Sequence, residues 1–153
     1  MVEFAVILPL LLMIFLGIAE LGRALLFYQR LTQAVETGAR YAARAYGAVE
    51  SSDCTALAGW TAALADTENV VIFGQVAGGS QAVIPGLDSA DTAVADVEVN
   101  LVSRAVTGVG DVCVVQVVAR VKYTGIFGTQ FIPLLGIEQP TLRATSEERY
   151  VGE

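Results

Sequence analysis

Histidine is missing from this chain of 153 residues, and charged residues make up only 16% of it. Without histidine the chain lacks the side chain that most often serves as an acid–base catalyst or a metal ligand. The sequence also offers no nucleophile–base pair and no metal-ligand spacing, and its glycine-rich stretches lack the strand-to-helix context of a nucleotide site. We therefore expect no enzymatic activity and no bound cofactor or metal.

Positive charge is scarce, and its distribution along the chain is uneven. The net charge is −7. Residues 1–46 carry four arginines against three glutamates, whereas residues 47–153 carry five basic and thirteen acidic residues. Nucleic-acid binding needs clustered lysine and arginine to neutralise phosphates. An acidic body therefore predicts no specific nucleic-acid partner.

Cysteine occurs only twice, at Cys54 and Cys113. This separation is too long for a redox or zinc motif of the CxxC type. If the protein is exported, we expect one disulfide that joins the start of the body to a central strand. The alternative is a pair of buried free thiols, which pack like small hydrophobic side chains.

Hydrophobic residues are abundant, at 54% of the chain, and they are concentrated near the N-terminus. Residues 4–19 form an apolar run that contains Pro9 and lies between Glu3 and Glu20. As a helix this run would span about 24 Å, slightly less than the roughly 30 Å core of a bilayer. If Glu20 and Arg23 pair or extend toward the interface, the apolar residues that follow complete a membrane span.

The helical pattern continues beyond the apolar run. Residues 21–46 place apolar side chains at a spacing of three to four, and Glu36 and Arg40 are spaced for an ion pair one turn apart. Gly47 is a natural helix stop. A helix over residues 2–46 would be near 65 Å long, at about 1.5 Å per residue. Its first half must therefore be buried in lipid or against neighbouring helices.

Three interpretations of the apolar segment compete. A cleavable signal peptide is disfavoured, because no basic region precedes the run and no small-residue cleavage site clearly follows it. An ordinary single-pass anchor is the second interpretation, but it has no use for an acid such as Glu3 at its edge. The third is a helix that lies first in lipid and then against copies of itself, and Gly17 and Gly22 would permit such close helix contact. All the arginines of the helix follow the run, which would place the body in the cytoplasm unless a basic leader has been removed.

The patterns in residues 47–153 predict an α+β body that packs on the second half of the long helix. We expect two domains, the helix of residues 1–46 and the globular body of residues 47–153. Alternation and turn signals predict a helix at 54–66 capped by 51–53, strands at 70–73, 97–101, 111–123 and 141–150, and a loop at 125–139.

The loop at 125–139 is rich in apolar residues that look exposed. It either folds over the body as a satellite core or forms a contact between subunits, since large apolar surface patches usually mark interfaces. The residues concerned are Ile126, Phe127, Phe131, Ile132, Leu134 and Leu135.

The first 46 residues resemble the TadE-like pilins of tight-adherence (Flp-type) type IV pilus systems. The resemblance includes non-apolar positions that hydrophobicity alone would not specify, although the glutamate of that family usually stands slightly further into the mature chain than Glu3. The matching segments are Val2-Glu3-Phe4-Ala5-Val6-Ile7-Leu8-Pro9-Leu10-Leu11-Leu12, Gly17-Ile18-Ala19-Glu20-Leu21-Gly22-Arg23-Ala24 and Thr37-Gly38-Ala39-Arg40-Tyr41-Ala42-Ala43.

The resemblance implies a type IV pilin-like fold, a long helix that packs by its second half on a small, mainly antiparallel sheet. It also implies that a prepilin peptidase removes a short basic leader. The subunit would then leave the inner (cytoplasmic) membrane through the pilus assembly machinery and join copies of itself or other pilins in an extracellular pilus.

We accordingly expect a structural pilin subunit that polymerises through its apolar helix into a filament used for adhesion or surface contact. Glu3 would pair with the terminal ammonium of a neighbour, because an unpaired buried carboxylate is costly; the alternative is an acid that rests at the interface. The other possible function is a single-pass, membrane-anchored extracytoplasmic binding module. The predicted assembly residues are Glu3, Phe4, Pro9, Gly17, Glu20, Gly22 and Arg23.

Overall fold

The structure, a computed structural model, describes residues 2–108, 110–126, 130–132 and 137–152. Its described part contains a long helix, a shorter helix and three small sets of paired strands. The elements in chain order are α1 (Val2–Ala42), β1 (Val49–Glu50), β2 (Thr55–Ala56), α2 (Trp60–Phe73), β3 (Ala95–Val106), β4 (Gly110–Lys122), β5 (Gln130–Ile132), β6 (Ile137–Glu138) and β7 (Thr141–Arg149).

Helix α1 runs unbroken through Pro9 and ends at Ala42, not at Tyr46 as the sequence suggested. The helix ends early because the C-terminal segment of the chain forms hydrogen bonds with the backbone just after Ala42. The Val151 N–H donates to the Ala43 carbonyl at 2.8 Å. The buried Tyr150 hydroxyl also lies within hydrogen-bond distance of the backbone of residues 45, 48 and 49.

The second half of α1 forms the centre of the core. Leu31, Val35 and Ala39 are fully buried and lie at helical spacing on the face that contacts α2 and the sheet. Gly38 allows the two helices to approach closely, because a Cβ there would lie 2.3 Å from a methyl group of Val71. The core of the body is therefore built on α1.

The main sheet is antiparallel with strand order β3-β4-β7. Val97 is paired with Ala119, and Val117 with Ser146. Alternate residues of β4 face the core as predicted, and the inward set is buried: Cys113, Val115, Val117, Ala119 and Val121. The predicted strands at 97–101, 111–123 and 141–150 are confirmed as β3, β4 and β7. The α+β class is also confirmed, with the long helix packed on a small antiparallel sheet.

Helix α2 lies later in the chain than the sequence suggested. The predicted cap at residues 51–53 is a turn, in which Asp53 accepts hydrogen bonds from the backbone N–H and the hydroxyl of Thr55. The predicted strand at 70–73 is the last turn of α2, so that prediction is wrong. Val70 and Val71 lie on the same buried helix face as Ala63 and Thr67.

One disulfide and one ion-pair network join distant parts of the chain. Cys54 is bonded to Cys113, which confirms the expected link between the start of the body and a central strand. Arg40 pairs with Glu36 at 3.8 Å, as predicted, and also with Glu148 at 3.4 Å. The second contact ties α1 to the neighbouring strand β7.

Candidate assembly surface and the buried carboxylate of Glu20

The first half of α1 extends away from the core and exposes its side chains. An 18-residue window within Ile7–Ala42 has a mean hydropathy of 2.1, and only 17% of the window is buried. Ten large side chains are between 40% and 69% exposed: Phe4, Ile7, Leu8, Leu10, Leu11, Leu12, Ile14, Phe15, Leu16 and Ile18. We call these ten residues the apolar stalk.

The apolar stalk is too large a hydrophobic surface for a solitary protein in water. Its ten large apolar side chains are all at least 40% exposed on one helix, whereas a soluble monomer rarely exposes a contiguous apolar patch of more than about 300–600 Å². Length and composition make α1 a candidate membrane span. No other part of the described chain covers this surface.

Glu20 has the opposite environment from the exposed residues around it, since it is fully buried. Its Oε1 atom accepts a hydrogen bond from the Tyr123 hydroxyl and another from the backbone N–H of Ile126, both at 3.1 Å. Glu20 ends the apolar run of the sequence, and the helix begins to pack on the body within the next turn at Ala24. The carboxylate therefore fastens residues 123–126 to α1 where the helix leaves the body.

The fit around this carboxylate depends on a glycine. A Cβ on Gly125 would lie 1.8 Å from Oε1 of Glu20 and 3.2 Å from the ring of Tyr123. The second carboxylate oxygen, Oε2, is buried and has no hydrogen-bond partner among the described residues. A side chain at position 125 would therefore force either the carboxylate of Glu20 or the loop to shift.

Arg23 does not form an ion pair with Glu20 in the described structure. Its guanidinium group lies 5.6 Å from the centre of the Phe27 ring, in a cation–π geometry. Phe27 in turn packs edge-on against Tyr123, with ring centres 5.4 Å apart. Instead of pairing with each other, Glu20 contacts the body and Arg23 contacts Phe27 on α1 itself.

The hydroxyl of Tyr123 is strongly affected by this environment. Burial raises the pKa of Tyr123 to about 12 from the usual 10.0, and the hydrogen bond to Glu20 and the charge of that carboxylate add to the effect. The positive charge of Arg23 acts in the opposite direction. Tyr123 therefore stays neutral and can donate to Glu20 throughout the physiological range.

Sequence reasoning placed Glu20 at the edge of the membrane run but missed its partners. Tyr123 and Ile126 are 103 and 106 residues away along the chain. The sequence carries no periodic pattern that links them to position 20. Only the packing of α1 against the end of β4 brings them together.

The other predicted assembly residues all lie on α1. Glu3 is part of the helix backbone near its start, and Phe4 is 65% exposed. Gly17 is half-buried, whereas Gly22 is exposed, and a Cβ added to Gly22 would have no neighbour within 4 Å. Their role in assembly stays a prediction.

The apolar loop at 125–139 is only partly described. Ile126 is 66% exposed. Phe131 and Ile132 belong to β5, which pairs with β6 in a two-stranded antiparallel unit that the sequence did not predict. Phe127, Leu134 and Leu135 lie outside the described residues. Whether this segment contacts another subunit therefore stays a prediction.

No cluster of three or more potential metal ligands occurs within the described ranges. The acidic and basic side chains of the body instead pair with one another across the sheet. Arg120 contacts Asp96 and Glu98, and Arg104 contacts Glu147. Hydrogen bonds from Arg104, and then from Gln116, lower the pKa of Glu147.

Comparison with known proteins supports the resemblance of the N-terminal segment. Residues 1–40 match the family described as TadE-like protein, so the resemblance to the TadE-like family is confirmed over that segment. No curated protein and no solved structure matches the chain.

Two observations bear on the location of this protein, the family match and the exposed helix. The match suggests a component associated with Tad pilus systems and a pilus-related location. The long apolar helix near the N-terminus suggests association with a membrane. The matched segment contains both the apolar stalk and Glu20, so the candidate surface lies within the part of the chain that the family shares.

Proposed function

We propose that this protein is a pilin subunit of a Tad-type (Flp-like) type IV pilus, which polymerises through the apolar stalk into an extracellular filament for adhesion or surface contact. The observation that carries the proposal is a single continuous helix that is apolar and exposed in its first half and buried in its second. The match of residues 1–40 to TadE-like proteins supports it.

The continuity of α1 favours a role in assembly over simple anchoring. At about 1.5 Å per residue the 41-residue helix is roughly 60 Å long. It passes from the exposed half into the core without a break, and Glu20 fastens the body at the transition. A rigid connection of this kind fixes the body relative to the stalk, which a repeating filament needs and a tethered binding module does not.

The proposed pathway has two stages. The subunit first sits in the inner membrane, where lipid covers the apolar stalk, and a prepilin peptidase processes it. The pilus assembly machinery then moves it into the filament, where the helices of other copies or other pilins replace the lipid. The role is structural, and no enzymatic step by this chain is part of the proposal.

Glu3, near the start of α1, is the residue that we propose is needed for assembly. Glu3→Ala or Glu3→Gln should block incorporation into filaments but leave membrane insertion intact, because a carboxylate in an apolar filament core needs a cationic partner. Glu36→Gln is the matched control, since Glu36 lies on the same helix and its side chain is 46% exposed. Normal filaments from the Glu3 variants would exclude this role.

The proposed function is tested by shearing cells and examining the released material by electron microscopy and immunoblotting. Ordered filaments that contain this chain support the proposal. Retention of all the protein in the membrane fraction, with no filament in the sheared material, favours the membrane-anchored binding module instead.

A further inference from the structure

Two open depressions adjoin each other at the end of α1 opposite the apolar stalk. They have volumes of about 400 and 670 Å³, and Tyr46 lines both of them. Arg44 lines the first depression and Arg149 lines the second. We call Arg44, Tyr46 and Arg149 the basic pole. Ala42, where α1 ends, lies about 33 Å along the helix axis from Glu20, so the basic pole is remote from the apolar stalk.

The two arginines of the basic pole are available to a ligand. Arg40, Arg104 and Arg120 each contact a carboxylate of the same chain. The side chains of Arg44 and Arg149 are exposed and form no ion pair or hydrogen bond with any described residue. They stay unpaired although residues 47–153 carry thirteen acidic residues against five basic ones. Their positive charges can therefore attract an anionic partner.

Tyr46 adds an aromatic surface beside these charges. It is 85% exposed and forms a common wall of the two depressions. Tyrosine combines an apolar ring with a polar hydroxyl, which suits it to surfaces where a partner is only partly removed from water. The C–H face of a sugar ring can pack against such an aromatic ring while the sugar hydroxyls stay hydrated.

The segment that carries Tyr46 is held in place by the C-terminal residues. The Val151 N–H donates to the Ala43 carbonyl at 2.8 Å, and the Gly47 N–H donates to the Gly152 carbonyl at 3.0 Å. These two bonds lie on either side of Tyr46 along the chain and tie it to the end of β7. A site whose groups are already in position loses less conformational freedom when a ligand binds.

We propose that the basic pole binds an acidic polysaccharide, a polymer of sugar rings of which some carry a carboxylate. Tyr46 packs against a sugar ring, and Arg44 and Arg149 bind carboxylates, which the planar guanidinium group can hold through two parallel hydrogen bonds. The binding itself needs no filament. Its use in adhesion rests on the proposed function, to which it adds a class of partner.

The charge of the body favours a polysaccharide over a nucleic acid. A nucleic acid strand carries one phosphate charge about every 3.4 Å. Charges at physiological salt act over about 8 Å, so phosphates next to a bound one would be repelled by the acidic body. Glu50, which lines the second depression and accepts a hydrogen bond from the Ser52 hydroxyl, adds to this repulsion. A polysaccharide can place neutral sugars between its carboxylates.

Isothermal titration of the full chain in detergent tests this site. The probe is hyaluronate, in which every second sugar carries a carboxylate; neutral dextran, polyglutamate and a single-stranded DNA oligonucleotide are the comparison ligands. The test variant combines Arg44→Gln with Arg149→Gln. The matched control combines Arg30→Gln with Arg143→Gln, because these exposed arginines lie on the same two elements and also have no described ion partner. Tyr46→Ala tests the aromatic contact.

We expect the wild type to bind hyaluronate and not dextran. The affinity should fall at least tenfold in the Arg44/Arg149 double variant, at least threefold in Tyr46→Ala and less than twofold in the control double variant. Circular dichroism spectra that match the wild type establish that each variant is folded.

Three results would overturn the site. They are no binding of hyaluronate by the wild type, equal losses in the two double variants, and binding of DNA or polyglutamate as tight as that of hyaluronate with no effect of Tyr46→Ala. Each of them leaves the proposed function intact, because the titration does not depend on filaments. Absence of the chain from sheared filaments, with hyaluronate binding as expected, would overturn the proposed function and leave the site.

Discussion

Replacing Gly38 by alanine tests the close contact between α1 and α2 on which the body is built. A Cβ at this position would lie 2.3 Å from a methyl group of Val71, far inside normal contact distance. Val71 is fully buried on α2, and a β-branched side chain in a helix has one strongly preferred rotamer. The helices must therefore move apart, because the valine cannot simply rotate away.

The magnitude follows from two opposing effects. Overpacking a core costs about 1–3 kcal/mol, and the stiff environment of Val71 favours a value near 3. Alanine also stabilises the helix by about 1 kcal/mol relative to glycine, because its helix propensity is higher. The expected net loss is about 2 kcal/mol, which for a chain of this size lowers Tm by about 4–8 °C.

Gly22→Ala is the matched control, because it lies in the same helix with nothing within 4 Å of the added methyl group. We expect it to leave Tm unchanged or to raise it slightly when both variants are melted in the same detergent and followed by far-UV circular dichroism. Adding Val71→Ala to Gly38→Ala should recover part of the loss, because it removes the clashing methyl group. Equal melting of the Gly38→Ala variant and the wild type would refute the packing argument.

The remaining predictions concern the disulfide and the Glu20 contacts. Replacing both Cys54 and Cys113 by serine should lower the unfolding free energy by about 4 kcal/mol, because the bond closes a loop of 59 residues; unchanged denaturant midpoints would contradict this. In a spectrophotometric titration Tyr123 should ionise near pH 12, and subtraction of a Tyr123→Phe variant identifies its signal; ionisation near pH 10 would refute the burial argument. Because the folded pKa lies above the unfolded value, the stabilising contribution of Tyr123 is complete below pH 10 and is lost as the pH rises from 10 toward 12. Gly125→Ala should displace the loop from Glu20 and return the Tyr123 pKa toward its usual value, and a titration curve identical to that of the wild type would show that the glycine is not required.

The regular elements with strong patterns were predictable from the sequence. Alternation over β3, β4 and β7 identified all three strands of the main sheet, because each has one face toward the core. The apolar run and the amphipathic segment behind it identified α1. These patterns are local. They predict the folded elements correctly because the same face stays buried along the whole element.

The predictions failed where an element boundary depends on distant contacts. The end of α1 is set by hydrogen bonds from the C-terminal segment, including that from Val151 to Ala43. The short apolar run at residues 70–73 has no periodicity that separates a buried strand from the last turn of a helix. It belongs to α2 because Val70 and Val71 continue a buried face that begins with Ala63.

The candidate site was predictable only in part. The sequence identified the apolar stalk and marked Glu20 as unusual, since an acid there interrupts a hydrophobic helix. It could not identify Tyr123 or the space left by Gly125, because both are more than 100 residues away and reach Glu20 only through the fold. The expected loop at 125–139 likewise contains strands β5 and β6, which depend on pairing with each other.

The central claim is that the apolar stalk exchanges lipid for copies of itself. A cryo-electron microscopy map of filaments sheared from cells tests this claim most directly. The account predicts a map in which this chain repeats along the filament, with the stalk residues from Phe4 to Ile18 buried at the centre and the body outside. A filament without this chain, together with protein found only as single copies in the membrane, would contradict it.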